Sequence, residues 1–258
     1  MQAPEKPLVL CCSGHDPGGG AGIHADIETV AALGGHALSV ITASTVQDTS
    51  DVRRVAAVAP ILVGAQLEAL LADCRIKAIK IGLLGDAEQI PHILAAIDAT
   101  GVPVVLDPVL RAGGGSGLAS ARTIAAMQSQ LFARTTVLTP NAAEARRLAP
   151  GSSSLEDCAG SLLEQGCANV LVTGGDEPGD PVVNTWFAPG QAPVSYAWPR
   201  LAGPFHGAGC TLAAAIAALL AAGRGLAEAL EGAQRYTHGT LQHSFRTGQG
   251  RRIPGRHF

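Results

Sequence analysis

Short apolar runs alternate with longer stretches rich in alanine and leucine along most of the chain. The short runs predict β-strands at 8–12, 37–43, 78–81, 102–106, 136–139 and 169–173. The longer stretches predict helices at 23–33, 59–73, 87–99, 119–132, 141–148, 154–165, 209–222 and 226–238. Apolar strands that alternate with helices are typical of a parallel sheet covered on both faces. We therefore predict an α/β fold, a three-layer α/β/α sandwich with a mostly parallel central sheet.

The segment 182–197 breaks this alternation, because two β-rich runs flank Pro189-Gly190 without a helix between them. Such a pattern predicts an antiparallel hairpin appended to the sheet. No linker is long enough to indicate a second domain, so we expect one domain over 1–258 with its core at about 8–238. The C-terminal tail, 244–258, is basic and contains glycine. We expect that tail to be loosely held.

Composition narrows the classes of function. The 258 residues carry a net charge of −3, which lacks the basic footprint of a nucleic-acid-binding protein. No apolar stretch reaches the ~18 residues of a membrane span, and the first residues do not resemble a signal peptide. We expect a cytoplasmic protein that binds neither nucleic acid nor membrane. The six cysteines show no metal-binding spacing; we expect reduced thiols, with Cys11 and Cys12 structural.

The most informative motif is a glycine-rich turn that leads into the predicted helix 209–222. The turn places Gly207, Ala208 and Gly209 where the first amides of that helix have no internal partners. Missing Cβ atoms and the positive end of the helix dipole favour an anion at this position. Cys210 follows directly, where a helix N-terminus lowers a thiol pKa. The motif therefore predicts an anion hole beside an acid/base group, although a cysteine that only fills space remains an alternative.

Acidic and amide side chains follow two of the predicted strands. Asp107 ends one strand, and Asn141 and Glu144 open the helix after another. Ligands sit at the carboxyl ends of strands in such sheets, and acidic groups there can hold Mg²⁺ through waters. The same spacing also fits a capping box, in which Asn141 caps the helix and Glu144 is its partner. The phosphate-binding pattern Gly-x₄-Gly-Lys-Ser/Thr is absent from the sequence.

A second glycine-rich loop, 13–26, follows the first strand. Asp26 flanks this loop, so it is either a substrate-binding carboxylate or only a partner of the helix dipole. Gln47 follows the second strand, and its amide could recognise the edge of a heterocycle or could be an ordinary polar loop residue. The loop also matches a dinucleotide-binding pattern, but glycine is so dense here that the match is weak.

Taken together, the motifs resemble the ribokinase-like superfamily, and within it the hydroxymethylpyrimidine/phosphomethylpyrimidine kinases of thiamine biosynthesis. The resemblance covers about 8–238, and cysteine after Gly-x-Gly, where most of the superfamily has aspartate, sharpens it. The segments that carry it are Ser13-Gly14-x-Asp16-Pro17-x-Gly19-Gly20-Ala21-Gly22-Ile23-x-Ala25-Asp26, Val40-Ile41-Thr42-Ala43 with Gln47, Lys80-Ile81-Gly82-x-Leu84, Val105-Leu106-Asp107-Pro108-Val109, Leu138-Thr139-Pro140-Asn141-x-x-Glu144 and His206-Gly207-Ala208-Gly209-Cys210-Thr211.

The resemblance implies phosphorylation of 4-amino-5-hydroxymethyl-2-methylpyrimidine, and then of its monophosphate, with ATP and Mg²⁺. It implies a catalytic role for Cys210 beside the reacting hydroxymethyl group and a homodimeric assembly. The residues that it places against the pyrimidine are Gly14, Asp26, Gln47, Leu83 and Val109. The residues that it places at the transferring phosphate, the metal and ATP are Gly207, Ala208, Gly209, Asp107, Asn141, Glu144 and Thr173.

One departure concerns Thr173, which stands in Thr-Gly-Gly where similar proteins commonly have Lys-Gly-Gly. A lysine would help to neutralise the triphosphate, and Arg111 could take its place or be an ordinary surface arginine. Two alternatives remain open from the sequence. One is a pyridoxal kinase of the cysteine-containing class, and the other is a degenerate vitamin-binding protein without transfer activity.

Overall fold

The structure is a computed structural model that describes residues 5–111 and 114–258. The strands are β1 (Leu8–His15), β2 (His36–Gln47), β3 (Val52–Ala57), β4 (Ile76–Ile81), β5 (Val104–Leu106), β6 (Val137–Leu138), β7 (Val170–Val172), β8 (Val182–Phe187) and β9 (Val194–Trp198). The helices are α1 (Gly22–Ala32), α2 (Pro60–Asp73), α3 (Ile90–Thr100), α4 (Ala121–Ala126), α5 (Ala142–Leu148), α6 (Leu155–Glu164), α7 (Ala208–Ala221) and α8 (Leu226–Gln242).

The strands form one sheet in the order β3-β2-β1-β4-β5-β6-β7-β8-β9. The pairs from β2 to β7 are parallel, while β3 at one edge and the β8–β9 hairpin at the other are antiparallel. Parallel strands need crossover connections, which the intervening helices supply. Their carboxyl ends meet at one edge, so the loops after β1, β4, β5, β6 and β7 lie side by side.

Two hydrophobic cores lie on opposite faces of the sheet. In β1, Leu10 and Cys12 face one core and Val9 and Cys11 face the other, as the two-residue repeat of a strand requires. Helices α2, α3, α5 and α6 cover the first face, and α1, α7 and α8 cover the second. The predicted three-layer α/β/α fold and the appended hairpin are thus confirmed, and Cys11 and Cys12 are buried as expected.

Two elements differ from the sequence-based prediction. Strand β3 was not predicted, because Arg53 and Arg54 interrupt its apolar pattern at an exposed edge of the sheet. The helix expected over 119–132 is divided: α4 gives way to a π-helical turn, Met127–Leu131, and then to a 3₁₀ turn, Phe132–Arg134. No helix among the described residues is long and apolar enough to cross a membrane.

The prediction of a loosely held tail is wrong. Bridges join Phe245 to Ile253 and Phe205 to Arg252, and the amide of Arg251 donates to the carbonyl of Thr49 at 2.8 Å. Ile253 is 3% exposed and Arg256 is 2% exposed. The tail is therefore ordered by backbone hydrogen bonds and by side-chain burial, which its basic, glycine-containing composition did not indicate.

Candidate active site

A cavity of about 720 Å³ lies at the carboxyl edge of the parallel strands. Twelve of the thirteen residues that the sequence singled out line it: Gly14, Gln47, Leu83, Asp107, Val109, Asn141, Glu144, Thr173, Gly207, Ala208, Gly209 and Cys210. The fold therefore gathers motifs that are almost two hundred positions apart in the chain. A concave site with a few convergent polar groups is typical of small-molecule binding.

Close backbone contacts explain the glycines of this site. A Cβ atom on Gly14 would come within 2.8 Å of the Leu83 side chain, so these two residues form one tightly packed wall. A Cβ on Gly207, whose φ is +89°, would come within 1.9 Å of the Gly20 carbonyl oxygen. Only glycine permits both that conformation and that approach. The loop after β1 and the turn before α7 are consequently in direct backbone contact.

Asp16 and His206 join the same two loops through side chains. His206 Nε2 lies 2.8 Å from Asp16 Oδ2, and the Asp16 carboxylate also accepts hydrogen bonds from the amides of Gly18, Gly20 and Ala21. Burial alone would raise the pKa of Asp16, but the bonds from His206 and the amides outweigh it and lower the pKa. Asp16 therefore remains an ionised acceptor that orders the glycine-rich loop.

Asp26 does not line the cavity, which corrects its expected contact with the pyrimidine. Its side chain is fully buried beneath the site, where Lys80 Nζ lies 2.8 Å from Oδ1 and 3.0 Å from Oδ2. Ser13 also donates a 2.6 Å hydrogen bond to Asp26. Burial alone would lower the pKa of Lys80, but the charge of Asp26, with smaller effects from Cys210 and Asp107, raises it. Lys80 is therefore a fixed positive charge below the site.

Asp107 follows β5 and Glu144 lies in the first turn of α5, and both carboxyl groups line the cavity. Burial raises the pKa of Asp107 to about 6, although Lys80 opposes the shift. Burial, and then repulsion from Asp107, raise the pKa of Glu144 to about 8. The two groups therefore share about one proton near neutral pH. This arrangement penalises the fully ionised pair and would be relieved by a bound cation.

The capping box that the sequence allowed is present. The Asn141 side chain accepts from the amide of Glu144 at 2.9 Å, and Glu144 Oε2 accepts from the amide of Asn141 at 3.1 Å. Glu144 Oε1 accepts from the amide of Leu110 at 3.2 Å. The cap fixes the Glu144 carboxylate at the wall of the cavity. A structural role and a role toward a ligand are therefore compatible.

The expected lowering of the Cys210 pKa is wrong. Burial raises the pKa of the thiol to about 12, more than the positive charge of Lys80 lowers it, and Asp107 and Asp26 raise it further. The dipole at the start of α7 does not overcome the loss of water and the two neighbouring carboxylates. Cys210 consequently presents a protonated thiol to the cavity rather than a thiolate.

Gln47 and Thr173 also line the cavity. Gln47 Nε2 donates to Thr45 Oγ1 at 2.7 Å, and Thr45 in turn donates to the carbonyl of His15, which fixes the amide at the cavity wall. The carbonyl of Thr173 accepts from the amide of Ala142 at 3.1 Å. Arg111 also lines the cavity.

Three residues in the quoted motifs have structural importance that the sequence did not indicate: Asp16, Lys80 and His206. The motifs contain them, but their pairing depends on loops that are distant in the chain. Lys80 lies in an apolar strand, and a buried lysine in such a strand predicts a buried carboxylate partner. That signal could have identified the Lys80–Asp26 pair, whereas the Asp16–His206 contact had no local signal.

Comparison with known proteins decides the family. The model of the family described as phosphomethylpyrimidine kinase matches residues 16–254. This chain belongs to that family. A hydroxymethylpyrimidine/phosphomethylpyrimidine kinase of Synechococcus elongatus is 39% identical over 249 residues, which is 95% of each chain. The resemblance inferred from the motifs is thus confirmed, and so is its conclusion that the chain is a kinase.

Solved structures of two related kinases share the fold. The pyridoxal kinase of Staphylococcus aureus in complex with pyridoxal superposes with a TM-score of 0.88 at 27% identity, covering 99% of this chain and 94% of that one. The phosphomethylpyrimidine kinase of Clostridium difficile 630 gives 0.78 at 28% identity, covering 92% and 100%. The phosphomethylpyrimidine kinase family and pyridoxal kinases therefore share this architecture.

Proposed function

We propose that this member of the phosphomethylpyrimidine kinase family uses ATP to phosphorylate 4-amino-5-hydroxymethyl-2-methylpyrimidine and then the resulting monophosphate. The observation that carries the proposal is the cavity in which the Gly207–Gly209 turn, Cys210, Asp107 and Glu144 converge. Phosphoryl transfer depends on positioning and on stabilisation of charge, and this cavity offers groups for both.

We assign the acceptor end of the cavity to Gly14, Gln47, Leu83 and Val109. The Gln47 amide can both donate and accept hydrogen bonds, which suits the amino group and ring nitrogens of a pyrimidine. Cys210, as a protonated thiol, orients the acceptor hydroxyl. Asp26 acts from below, because its pairing with Lys80 keeps a positive charge under the reacting groups.

The anion hole is assigned to Gly207, Ala208 and Gly209. A Cβ added to Gly209 would come within 3.9 Å of Asp107 Oδ2, so the first turn of α7 lies beside the Asp107 carboxyl group. The first amides of this helix are suited to the negative charge of a transferring phosphate. Asn141 and Thr173 lie at the nucleotide end of the same cavity in this assignment.

Asp107 and Glu144 suit Mg²⁺. Their raised pKa values show that each carboxyl is destabilised when ionised, and a divalent cation offsets that penalty. No group of three or more His, Cys, Asp or Glu side chains in 5–111 and 114–258 is arranged to hold a metal. Two carboxylates beside the phosphate-binding turn fit Mg²⁺, which keeps waters and uses few carboxylates together with substrate phosphates. When bound, the ion neutralises charge on the phosphates of ATP.

Pyridoxal is the second candidate substrate, because the S. aureus pyridoxal kinase superposes so closely. The deciding experiment measures ATP consumption with hydroxymethylpyrimidine, its monophosphate, pyridoxal and pyridoxine under identical conditions. The proposal predicts the highest kcat/KM for the hydroxymethylpyrimidine and clear turnover of its monophosphate. Preference for pyridoxal would overturn the substrate assignment, and no turnover of any alcohol would favour a degenerate vitamin-binding protein.

We also propose that the protein is a homodimer. Val46 is 56% exposed on β2, and Ile61 and Leu62 are 75% and 50% exposed at the start of α2. Helix α2 packs against β2, so these apolar side chains occur on adjoining elements. Light scattering coupled to gel filtration should give twice the mass of one chain. Val46→Lys with Ile61→Glu should yield monomers, and a monomeric parent protein would contradict the proposal.

A further inference from the structure

The C-terminal tail brings a fully buried arginine beneath the active-site loops. The Arg256 side chain is 0% exposed, although only two residues follow it in the sequence. Its Nη1 lies 2.9 Å from Glu28 Oε2, and the Glu28 side chain is 45% exposed. Burying a guanidinium requires partners for its donors. The other two nitrogens find those partners in the loops that form the anion hole.

One nitrogen of Arg256 holds the loop after β1. Nη2 donates a 2.5 Å hydrogen bond to the carbonyl of Gly20, and the amide of the same peptide group, on Ala21, donates to Asp16 Oδ2 at 2.9 Å. Asp16 in turn contacts His206. A peptide group held at both its oxygen and its nitrogen cannot rotate, so this bond fixes the loop that touches Gly207.

Another nitrogen holds the turn before α7 through Thr211. Arg256 Nε donates to Thr211 Oγ1 at 3.0 Å, and this hydroxyl donates to the carbonyl of Gly207 at 2.8 Å. Because the hydroxyl has one proton, the bond that it accepts from Arg256 commits that proton to Gly207. The carbonyl of Gly207 then points into α7, and the opposite end of that peptide, the amide of Ala208, points away from the helix.

We infer that Arg256 is a positioning residue that braces the anion-binding turn 207–209. It touches no reacting group, but it fixes the two glycines, 20 and 207, at which the two loops meet. Misplacement of a reacting group by about an ångström can cost on the order of 100-fold in rate. The inference deepens the proposed function and rests on it, because the turn is assigned there as the site of phosphate stabilisation.

The test compares Arg256→Met, which removes all donors but keeps an apolar stem, with Arg256→Lys, which keeps the charge without the fork. Arg246→Met is the matched control, because Arg246 lies in the same tail, is exposed and donates to the Gly250 carbonyl at 3.2 Å. Steady-state turnover is measured well below the melting temperature of each variant. We expect Arg256→Met to lower kcat by roughly 10- to 100-fold with little change in the KM of the alcohol, and Arg256→Lys to be intermediate.

A purely structural role predicts another pattern, in which Arg256→Met lowers the melting temperature but leaves kcat at the parent value. That result would overturn the inference. If Arg256→Met does not fold, Thr211→Val tests the connection from Arg256 through the Thr211 hydroxyl to the Gly207 carbonyl. Thr211→Ser is the conservative variant, which keeps the hydroxyl and should restore kcat. Equal kcat in Thr211→Val and in the parent protein would also contradict the inference that Arg256 positions the turn 207–209.

Amide hydrogen exchange supplies a readout that does not depend on the substrate. In the ligand-free protein, Arg256→Met should accelerate exchange in 205–211, while Arg246→Met should leave it unchanged. The same exchange rate in 205–211 in Arg256→Met and in the parent protein would refute a positioning role of Arg256. Failure of the parent protein to phosphorylate any alcohol would refute the proposed function alone, because the exchange comparison still decides whether Arg256 holds the turn.

Discussion

The shared proton of Asp107 and Glu144 gives a prediction about metal binding that can be worked out from the structure. With pKa values of about 6 and about 8, the pair retains close to one proton at neutral pH. A cation that binds both carboxylates must displace this proton, so metal affinity has to increase with pH. Below about pH 8, the raised pKa of Glu144 keeps its carboxyl protonated, so the proton competes with the metal ion. Above about pH 8 the carboxyl is ionised and this competition ends.

The magnitude follows from simple competition between one proton and the metal. For a group with a pKa of about 8, the apparent dissociation constant should fall roughly tenfold from pH 7 to pH 9 and then level off. Binding at pH 7 should release about one proton per ion. Glu144→Gln removes the group with the higher pKa, so it should flatten the pH dependence and weaken binding.

Mn²⁺ is a suitable probe for this prediction, because its paramagnetic resonance signal reports the free ion. Titrations without nucleotide avoid the protons of ATP itself, and Arg246→Met serves as a variant that leaves the pair intact. Equal affinity for Mn²⁺ at pH 7 and pH 9 in the parent protein would refute the account of the pair. A pH dependence that persists unchanged in Glu144→Gln would show that another group holds the displaced proton.

Four further predictions concern Cys210, Lys80 and Thr173. Burial raises the pKa of Cys210 to about 12, so the rate of its alkylation by iodoacetamide should still increase with pH above pH 9. The measurement uses a Cys74→Ser background, because Cys74 is also partly exposed. A rate that levels off near neutral pH would instead indicate a thiolate. Cys210→Ala should cut kcat by on the order of 100-fold and Cys210→Asp by less, whereas parent-like kcat in Cys210→Ala would reduce the thiol to packing. Lys80→Met should lower the free energy of unfolding in urea by about 3–5 kcal/mol, because it leaves the Asp26 carboxylate buried without its partner, and the double variant Lys80→Met/Asp26→Leu should recover much of this loss. A double variant whose loss equals the sum of the two single losses would contradict the buried ion pair. Thr173→Lys should tighten ATP binding several-fold at low salt, from a contact of ~1 kcal/mol, and unchanged affinity would mean that another cation, such as Arg111, already serves the triphosphate.

The layers of the fold could be predicted because the central strands and their helices carry strong apolar patterns. Strand β3 could not, because it lies at the edge of the sheet, pairs with β2 and exposes Arg53 and Arg54, so its conformation depends on its neighbour rather than on its own composition. The order of the tail could not be predicted for a related reason. Its order depends on backbone bonds to Thr49 and His206, which no local pattern reports.

The position of the cavity could be predicted because the carboxyl ends of parallel strands converge and the polar motifs follow those strands. The state of its side chains could not. Cys210 was expected to have a lowered pKa from the helix start alone, whereas burial and nearby carboxylates raise it. Asp26 was expected in the cavity wall, whereas a lysine from β4 holds it below. Both errors arise from three-dimensional neighbours that distant segments supply.

We propose that one active site carries out two successive phosphoryl transfers to a pyrimidine. ³¹P resonances can be followed after ATP and Mg²⁺ are mixed with 4-amino-5-hydroxymethyl-2-methylpyrimidine and the parent protein. We expect a phosphate monoester signal to form first and then to be replaced by the coupled doublets of a diphosphate ester, while ADP accumulates. Absence of any new ester signal, with efficient conversion of pyridoxal in a parallel sample, would refute this substrate and reaction.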